Sequence, residues 1–205
     1  YEVNTSACCR EQGKDPQLAI DLDGLEATEE KTYAYTEPPS KRVRRHFEFP
    51  SLARRGVYVV EFIGNGRSSR ALIRKGALTC VERLSAAGHR FRIFDEAGRA
   101  LPGASIWMGQ RRYETGSAES GAEILLPYTA KPQHQAIILE HEGFACMASF
   151  EHREEAFDLK AGFYVDRESL IKGAKASLWV RPSLWMHGNE EAVSLGLLEA
   201  PALEA

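Results

Sequence analysis

The sequence predicts an all-β fold of tandem Ig-like or transthyretin-like β-sandwich modules with little helix. Turn signals recur about every 8 to 12 residues between short apolar runs, a spacing typical of sandwiches and barrels. The run at 57–63 is β-branched and aromatic, and Gly64, Asn65 and Gly66 follow it directly. An Asn-Gly pair after such a run predicts a hairpin turn. Apolar residues show no helical period over any window of about 11 residues or more.

Strand candidates form two series that meet near Lys75 and Gly76. The first series is 18–22, 31–35, 43–49, 57–63 and 69–74. The second is 78–84, 90–94, 104–108, 112–114, 122–126, 135–140, 145–152 and 155–159, with turns at 95–98, 101–103 and 119–121. Residues 166–172 suit one helical turn or a short linker, and 176–181 and 192–198 suit strands.

These series predict three parts of the chain. Residues 1–75 form a first sandwich module, whose polar residues 1–16 are interpreted as a frayed lead-in. Residues 76–165 form a second module, and 166–205 supply a linker and the strands of a further unit or extension. Because the chain begins with Tyr1 rather than Met, we expect it to be a segment of a larger multidomain protein.

Composition limits the partners that the chain can have. The 205 residues are 43% hydrophobic and 27% charged, with a net charge of −3, so we expect no general attraction to nucleic acid or anionic membranes. No apolar run approaches the roughly 20 residues that a membrane span needs. The expected partners are neighbouring domains of the same protein and a protein ligand.

Two stretches carry a family resemblance. Residues 47–61, with Pro50 and Leu52 ahead of Gly56 and the following apolar run, resemble the closing strands of a macroglobulin module of the α2-macroglobulin type. Residues 94–106, with Asp95, Gly98 and Pro102, resemble carboxypeptidase-regulatory-like and bacterial Ig-like modules, and 115–128 fit the strand that follows in those modules.

The resemblance implies a β-sandwich segment of a cell-envelope or secreted protein, and therefore an extracytoplasmic location. It does not imply covalent trapping of a protease, because the reactive Gly-Cys-Gly-Glu-Gln motif of macroglobulins is absent from the sequence. Such patterns encode hairpins more than chemistry.

Motifs that could carry catalysis lack their partners. Asp21 and Asp23 before Gly24 resemble the loop of haloacid-dehalogenase-type phosphotransferases, but that chemistry needs alternating helices and strands and further acidic residues. A strand ending in an Asp-Gly turn is the favoured interpretation. The glycine-rich residues 64–69 lack the Gly-Lys-Ser/Thr ending of a phosphate loop. The histidines lack ligand spacing, so we predict no enzyme, no cofactor and no metal site.

Cysteines and a glycosylation sequence are open to two interpretations. Cys80 and Cys146 lie in strand-like runs and suit buried thiols, with a disulfide between them as the alternative. Cys8 and Cys9 fall in the lead-in and look exposed. Asn4 begins an Asn-x-Ser sequence, which is common by chance.

Lys41, Arg42, Arg44 and Arg45 form the one dense basic run, a candidate interaction patch. Alternation along a strand would make this run a solvated strand face that discourages edge pairing. Aromatic side chains lie mostly within strand-like runs, which favours the core over a sugar-binding face; they include Trp107, Trp179, Trp185, Phe144, Phe150, Phe157, Phe163 and Tyr164. We therefore predict a non-catalytic structural or interaction segment; the alternative is an accessory carbohydrate-binding module.

Overall fold

A computed structural model describes residues 1–38, 40–116, 122–187, 192–199 and 202, and these residues are nearly all β. The strands are β1 (Glu2–Val3), β2 (Gly56–Gly64), β3 (Arg67–Lys75), β4 (Leu78–Ser85), β5 (Gly88–Asp95), β6 (Ser105–Met108), β7 (Arg111–Glu114), β8 (Ile124–Leu126), β9 (Gln133–His141), β10 (Phe144–His152), β11 (Phe157–Val165), β12 (Leu178–Met186) and β13 (Ala192–Val193). Helix α1 (Thr5–Gln12) and 3-10 turns at Arg167–Ser169 and Leu195–Leu197 complete the described elements. The predicted all-β class is confirmed.

The described strands form four sheets, ordered β1-β2-β3, β10-β9-β6-β7, β4-β5-β8 and β11-β12-β13. The chain divides into two compact units. Unit 1 contains Tyr1–Val81, Arg92–Ile124 and Gln135–Phe150. Unit 2 contains Glu82–Phe91, Leu125–His134 and Glu151–Ala205.

The predicted hairpin at Asn65 and Gly66 is confirmed. Strands β2 and β3 pair antiparallel from Gly56↔Lys75 to Gly64↔Arg67, which leaves two residues for the turn. Both turn residues have positive φ, 51° for Asn65 and 70° for Gly66. Asn and Gly tolerate this region, so the twist of the turn matches the twist of the strands.

The predicted turn at 95–98 is also confirmed, and it anchors the start of β2 in unit 1. Asp95 accepts hydrogen bonds from the backbone N–H groups of Ala97 and Arg99, at 3.0 and 2.8 Å. Its carboxylate also accepts hydrogen bonds from the guanidinium groups of Arg99 and Arg55. These bonds, the Arg99 backbone N–H first among them, lower the pKa of Asp95.

The interpretation of residues 1–16 as a frayed lead-in is wrong. Asn4 caps α1 by accepting from the Ala7 N–H at 3.0 Å. Thr5 is buried, and its hydroxyl donates to Gly143 O and accepts from the Ala145 N–H. Cys9 lies in the core of unit 1 with Ile138 and Ala145. Asn4 serves as the helix cap and Thr5 as a buried hydrogen-bonding group. The aperiodic sequence pattern does not reveal either role.

Three predicted strands are also wrong: residues 18–22, 31–35 and 43–49 are irregular. The described residues between α1 and β2 contain turns and bends but no strand. A short apolar run becomes a strand only when a sheet edge offers it backbone partners. Here Tyr33 and Phe47 instead pack their rings toward β2.

Another long hairpin, β11–β12, lies in unit 2. Strands β11 and β12 pair from Phe157↔Met186 to Val165↔Leu178, and 12 residues connect them. The 3-10 turn Arg167–Ser169 in this connection confirms the helical turn predicted there. The strands predicted at 155–159 and 176–181 are shorter than the observed β11 and β12. Of the strand predicted at 192–198, the described residues form only β13, which a second 3-10 turn follows.

Candidate interaction surfaces

The hairpin β11–β12, which we call the arm, has two chemically different faces. Residues directly opposite each other in an antiparallel pair share a face of the sheet. One face, the apolar face of the arm, carries Phe157, Leu159, Ala161, Phe163, Val165, Leu178, Val180, Pro182, Leu184 and Met186. The opposite face carries Asp158, Lys160, Gly162, Tyr164, Trp179, Arg181, Ser183 and Trp185.

The apolar face is buried at one end and open along the rest. Leu184 and Met186 are 2% and 4% exposed, and Met186 Sδ accepts a hydrogen bond from the Tyr128 hydroxyl at 2.9 Å. Leu159 and Phe163 are 57% and 58% exposed. Isolated apolar residues on a surface are ordinary, but a contiguous apolar face marks a contact surface.

Sequence reasoning missed this face, although a signal for it was present. Residues 157–165 are apolar at every odd position, and residues 178–186 are apolar at every even position. Strict period-2 alternation over nine residues predicts a half-buried strand. The Gly162 and Pro182 interruptions made each run look shorter than it is.

The aromatic residues predicted as core divide between the core and the arm. Phe144 and Phe150 are buried, and Trp107 packs against the Cys9 core while its indole N–H donates to Glu140 at 2.6 Å. Trp179 is 72% exposed, opposite Tyr164. The core interpretation therefore holds for Phe144 and Phe150 and fails for Phe163, Tyr164 and Trp179 of the arm.

A second surface is a groove in unit 1. Its volume is about 790 Å³, and it is lined by Tyr1, by residues 27–33, 35, 47, 49, 51 and 52 of the irregular segment, and by residues 58–64 and 67–69 of the β2–β3 hairpin. Phe47 lies 5.3 Å from Phe62 and 5.2 Å from Tyr33, measured between ring centroids. The irregular segment thus contributes an aromatic wall that faces β2.

The basic run does not lie on a strand, so the predicted strand face is wrong. Lys41, Arg42, Arg44 and Arg45 are all exposed in the irregular segment. Arg45 pairs with Glu37 at 2.6 Å and stacks 4.0 Å above the ring of Tyr35. Its role as an interaction patch stays a prediction.

A buried polar cluster in unit 2 surrounds His89, whose side chain is fully buried. Nδ1 of His89 lies 2.6 Å from the Glu82 carboxylate, and Nε2 accepts from the Arg153 N–H at 3.3 Å. Burial raises the pKa of Tyr128, which packs on the His89 ring and donates to Ser85 O. Both ring nitrogens and the hydroxyl have protein partners, as buried polar groups in a core require.

The remaining sequence motifs serve local structure. Asp21 accepts from the Asp23 N–H in a turn, so the Asp-Gly turn is present but the strand before it is not. An all-β fold does not supply the helix–strand alternation of a haloacid-dehalogenase-type enzyme. Within the described ranges, no three His, Cys, Asp or Glu side chains converge as a metal site would require.

The four cysteines are free thiols in the structure. Cys8 and Cys9 are buried, which corrects their exposed interpretation. Burial raises the pKa of the Cys9 thiol to about 12 and also raises that of Cys146. Buried thiols of this kind pack as small apolar groups.

Comparison with known proteins supports the immunoglobulin-like class that the antiparallel sheets indicate. The family model described as the AbpF first immunoglobulin-like domain matches residues 1–76. The chain is 31% identical over 210 residues to "Actin-binding protein F" of Dictyostelium discoideum; the alignment covers 99% of the chain and 9% of that protein. The chain thus spans less than a tenth of this relative's length. No solved structure matches this chain.

These similarities correct two inferences from the macroglobulin resemblance. The Ig-like fold is supported, but the macroglobulin and carboxypeptidase-regulatory-like type is not. The extracytoplasmic location is contradicted, because the relative that aligns with nearly the whole chain is named for binding actin, a cytoskeletal protein. The shared patterns encode hairpin turns, which unrelated sandwiches have in common.

No helix in the described part of the chain has the length and apolar character to span a bilayer.

Proposed function

We propose that this chain is a non-catalytic interaction segment of a larger multidomain protein, which positions neighbouring domains and binds a protein partner through the arm. The apolar face of the arm is the observation that carries this proposal. Leu159, Phe163 and Val180 are exposed on one continuous face, whose cross-strand neighbours are apolar as well. Aromatic and aliphatic clusters of this kind are the usual centre of a protein interface.

Actin is the partner that we propose to test first. The similar protein is named for binding actin, and its similarity extends over the arm as well as the unit 1 sheets. Lys160 and Arg181 lie on the opposite face of the arm, outside the proposed apolar contact.

Co-sedimentation with actin filaments tests this proposal. We expect the unchanged chain to pellet with filaments, and Phe163→Ser to weaken binding at least tenfold because it places a hydroxyl in the contact. Ile63→Ser is the matched control, since Ile63 is equally apolar and 76% exposed but lies on the other hairpin. A chain that does not bind, or an F163S variant that binds as well as the I63S variant, would overturn the proposal.

The basic run and the domain boundaries belong to the same proposal. Lys41, Arg42 and Arg44 would add long-range attraction to an acidic partner, an effect that weakens with salt.

We divide the chain into modules at 1–75 and 76–165. Residues 166–205 are an extension, because β12 pairs with β11 across the second boundary. Limited proteolysis that cuts first near 75 and 165 would support this division.

A further inference from the structure

The outer end of the arm, residues 163–180, is what we call the tip. Its exposed large apolar and aromatic side chains are Phe163, Tyr164, Leu170, Ile171, Leu178, Trp179 and Val180. Phe163 and Val180 belong to the apolar face of the arm. Tyr164 and Trp179 share the opposite face. Leu170 and Ile171 lie in the connection between the two strands. A protein contact on the apolar face therefore does not account for the exposed residues of the opposite face or of the connection.

The exposed apolar side chains of the tip point in several directions. Residues directly opposite each other share a face, and neighbouring pairs alternate between faces. The Phe163–Val180 and Tyr164–Trp179 pairs are neighbours and so lie on opposite faces of the hairpin. A flat protein surface contacts one face of a hairpin, whereas a lipid surface surrounds the end of a hairpin on all sides. This distribution favours a lipid contact over a second protein contact.

The residue types of the tip suit the boundary between lipid headgroups and acyl chains. Tyr and Trp concentrate at this boundary because their rings are apolar while their O–H and N–H groups favour water. Lys172 and Lys175 follow Ile171 closely in the connection. Long lysine side chains can keep their methylene groups in apolar surroundings and extend the ammonium group to the headgroups.

The tip also differs in charge from the chain as a whole. Residues 163–181 carry four cations and two anions, whereas the whole chain has a net charge of −3. A local excess of Lys and Arg is attracted to anionic lipids over about one Debye length, even when the net charge of the protein is negative. The charge of the tip is therefore complementary to an anionic membrane surface.

Backbone hydrogen bonds within the tip lower the cost of entering lipid, where unsatisfied polar groups are expensive. The β11–β12 ladder supplies these bonds in the strands. In the connection, the N–H groups of Leu170, Ile171 and Ala174 donate to the carbonyl groups of Arg167, Ser169 and Ile171. The last three cross-strand pairs extend about 7 Å at about 3.4 Å per residue, which matches the depth of about 5–10 Å that interfacial segments reach.

We propose that the tip of the arm inserts into the headgroup region of an anionic membrane. Leu170, Ile171 and Trp179 enter the apolar layer, and Lys172 and Lys175 bind the headgroup phosphates. This contact goes beyond the proposed binding of a protein partner, because it uses the connection and the opposite face of the arm. The arm then holds its protein partner beside a lipid surface.

Sedimentation of the whole chain with vesicles tests the lipid contact. The vesicles contain phosphatidylcholine and phosphatidylserine in a two-to-one ratio. We expect the unchanged chain to bind, and the double variant Leu170→Ser, Ile171→Ser to bind at least tenfold more weakly. Both side chains are exposed, so these substitutions have little effect on folding. Ile63→Ser is the matched control, because Ile63 is an exposed apolar residue of the other hairpin, and it should bind as the unchanged chain does.

Tryptophan fluorescence and lipid charge identify the residues in contact. Vesicle binding should shift the emission of the unchanged chain to the blue. Trp179→Phe should bind but lose this shift, because Trp107 and Trp185 are less exposed and lie outside the tip. Lys172→Gln combined with Lys175→Gln should weaken binding at least fivefold, since each lysine near an anionic surface contributes attraction. Vesicles of phosphatidylcholine alone should bind the unchanged chain at least fivefold more weakly.

Three results would overturn the proposal. Failure of the unchanged chain to sediment with the anionic vesicles would exclude the lipid contact. Equal binding of the L170S/I171S and I63S variants would place the contact outside the tip. Loss of actin-filament binding in L170S/I171S, without vesicle binding by the unchanged chain, would make the tip part of the protein contact. Vesicle binding is measured without actin, so failure of the proposed actin binding leaves this test unaffected.

Discussion

The hairpins β2–β3 and β11–β12 have ladders of the same length and different surroundings. Each contains nine cross-strand pairs. In β2–β3 a two-residue turn joins the strands, and Phe47 packs against Phe62, which stays 43% exposed. In the arm, 12 residues join the strands, and the apolar face is open beyond its base. Hairpin geometry is thus independent of burial, and the exposed apolar face of the arm is the surface that we propose for a partner.

The largest expected effect tests where burial ends on the arm. Leu184 and Leu159 are directly opposite each other on the apolar face, yet their exposures are 2% and 57%. We expect Leu184→Ala to lower the free energy of unfolding by about 2–5 kcal/mol, because it leaves a cavity in a packed site. Urea denaturation followed by circular dichroism measures this change.

The matched variant is Leu159→Ala, which removes the same atoms from the same face. Surface substitutions usually change the free energy of unfolding by less than about 0.5 kcal/mol. Similar losses for both variants would contradict the boundary between the buried base and the open face.

Much of the fold was predictable because its signals are local. Positive φ at Asn65 and Gly66 and the Asp95 turn follow from residue chemistry that a short window contains. Helix α1 and the irregular stretch before β2 were not predictable in this way. The burial of Thr5 depends on its hydrogen bond with the backbone of Ala145, and the position of Phe47 depends on its ring contact with Phe62. Both partners lie far away in the sequence.

The next prediction concerns the turn of the β2–β3 hairpin, where Gly66 adopts positive φ. Gly66 has a φ of 70°, a conformation that costs an L-residue about 1–2 kcal/mol. We therefore expect Gly66→Ala to lower the free energy of unfolding by about 1 kcal/mol. Gly162→Ala on the arm is the control, since a Cβ there meets only Arg181 O, at 4.0 Å. A larger loss of stability in G162A than in G66A would contradict the expected cost of positive φ at position 66.

The candidate surfaces were harder to predict than the strands. The basic run stands out in sequence because its charges are adjacent, whereas the apolar face of the arm divides its residues between two segments joined by 12 residues. Only the cross-strand register brings Phe163 beside Val180.

An effect of similar size tests the ring contacts of Phe47 beside β2. Phe47→Leu keeps an apolar side chain but removes the ring contacts to Phe62 and Tyr33. We expect a loss of about 1 kcal/mol in the free energy of unfolding, the typical contribution of aromatic pairs. Phe163→Leu on the arm should leave stability within about 0.5 kcal/mol. Equal losses would mean that the arm's apolar face is covered in solution.

The smallest effect is a pH dependence confined to the anchor of β2. Since the pKa of Asp95 is lowered in the folded chain, its contribution to stability is complete above the ordinary carboxyl pKa of about 4 and is lost as pH falls through the lower folded value. Acidification from pH 6 to pH 3 should therefore lower the urea midpoint less in Asp95→Asn than in the unchanged chain. Asp158→Asn, which removes an exposed carboxylate of the arm beside His187, is the control and should follow the unchanged chain. If D95N and the unchanged chain lose the same amount, the bonds of Asp95 to Arg55 and Arg99 do not stabilise the start of β2.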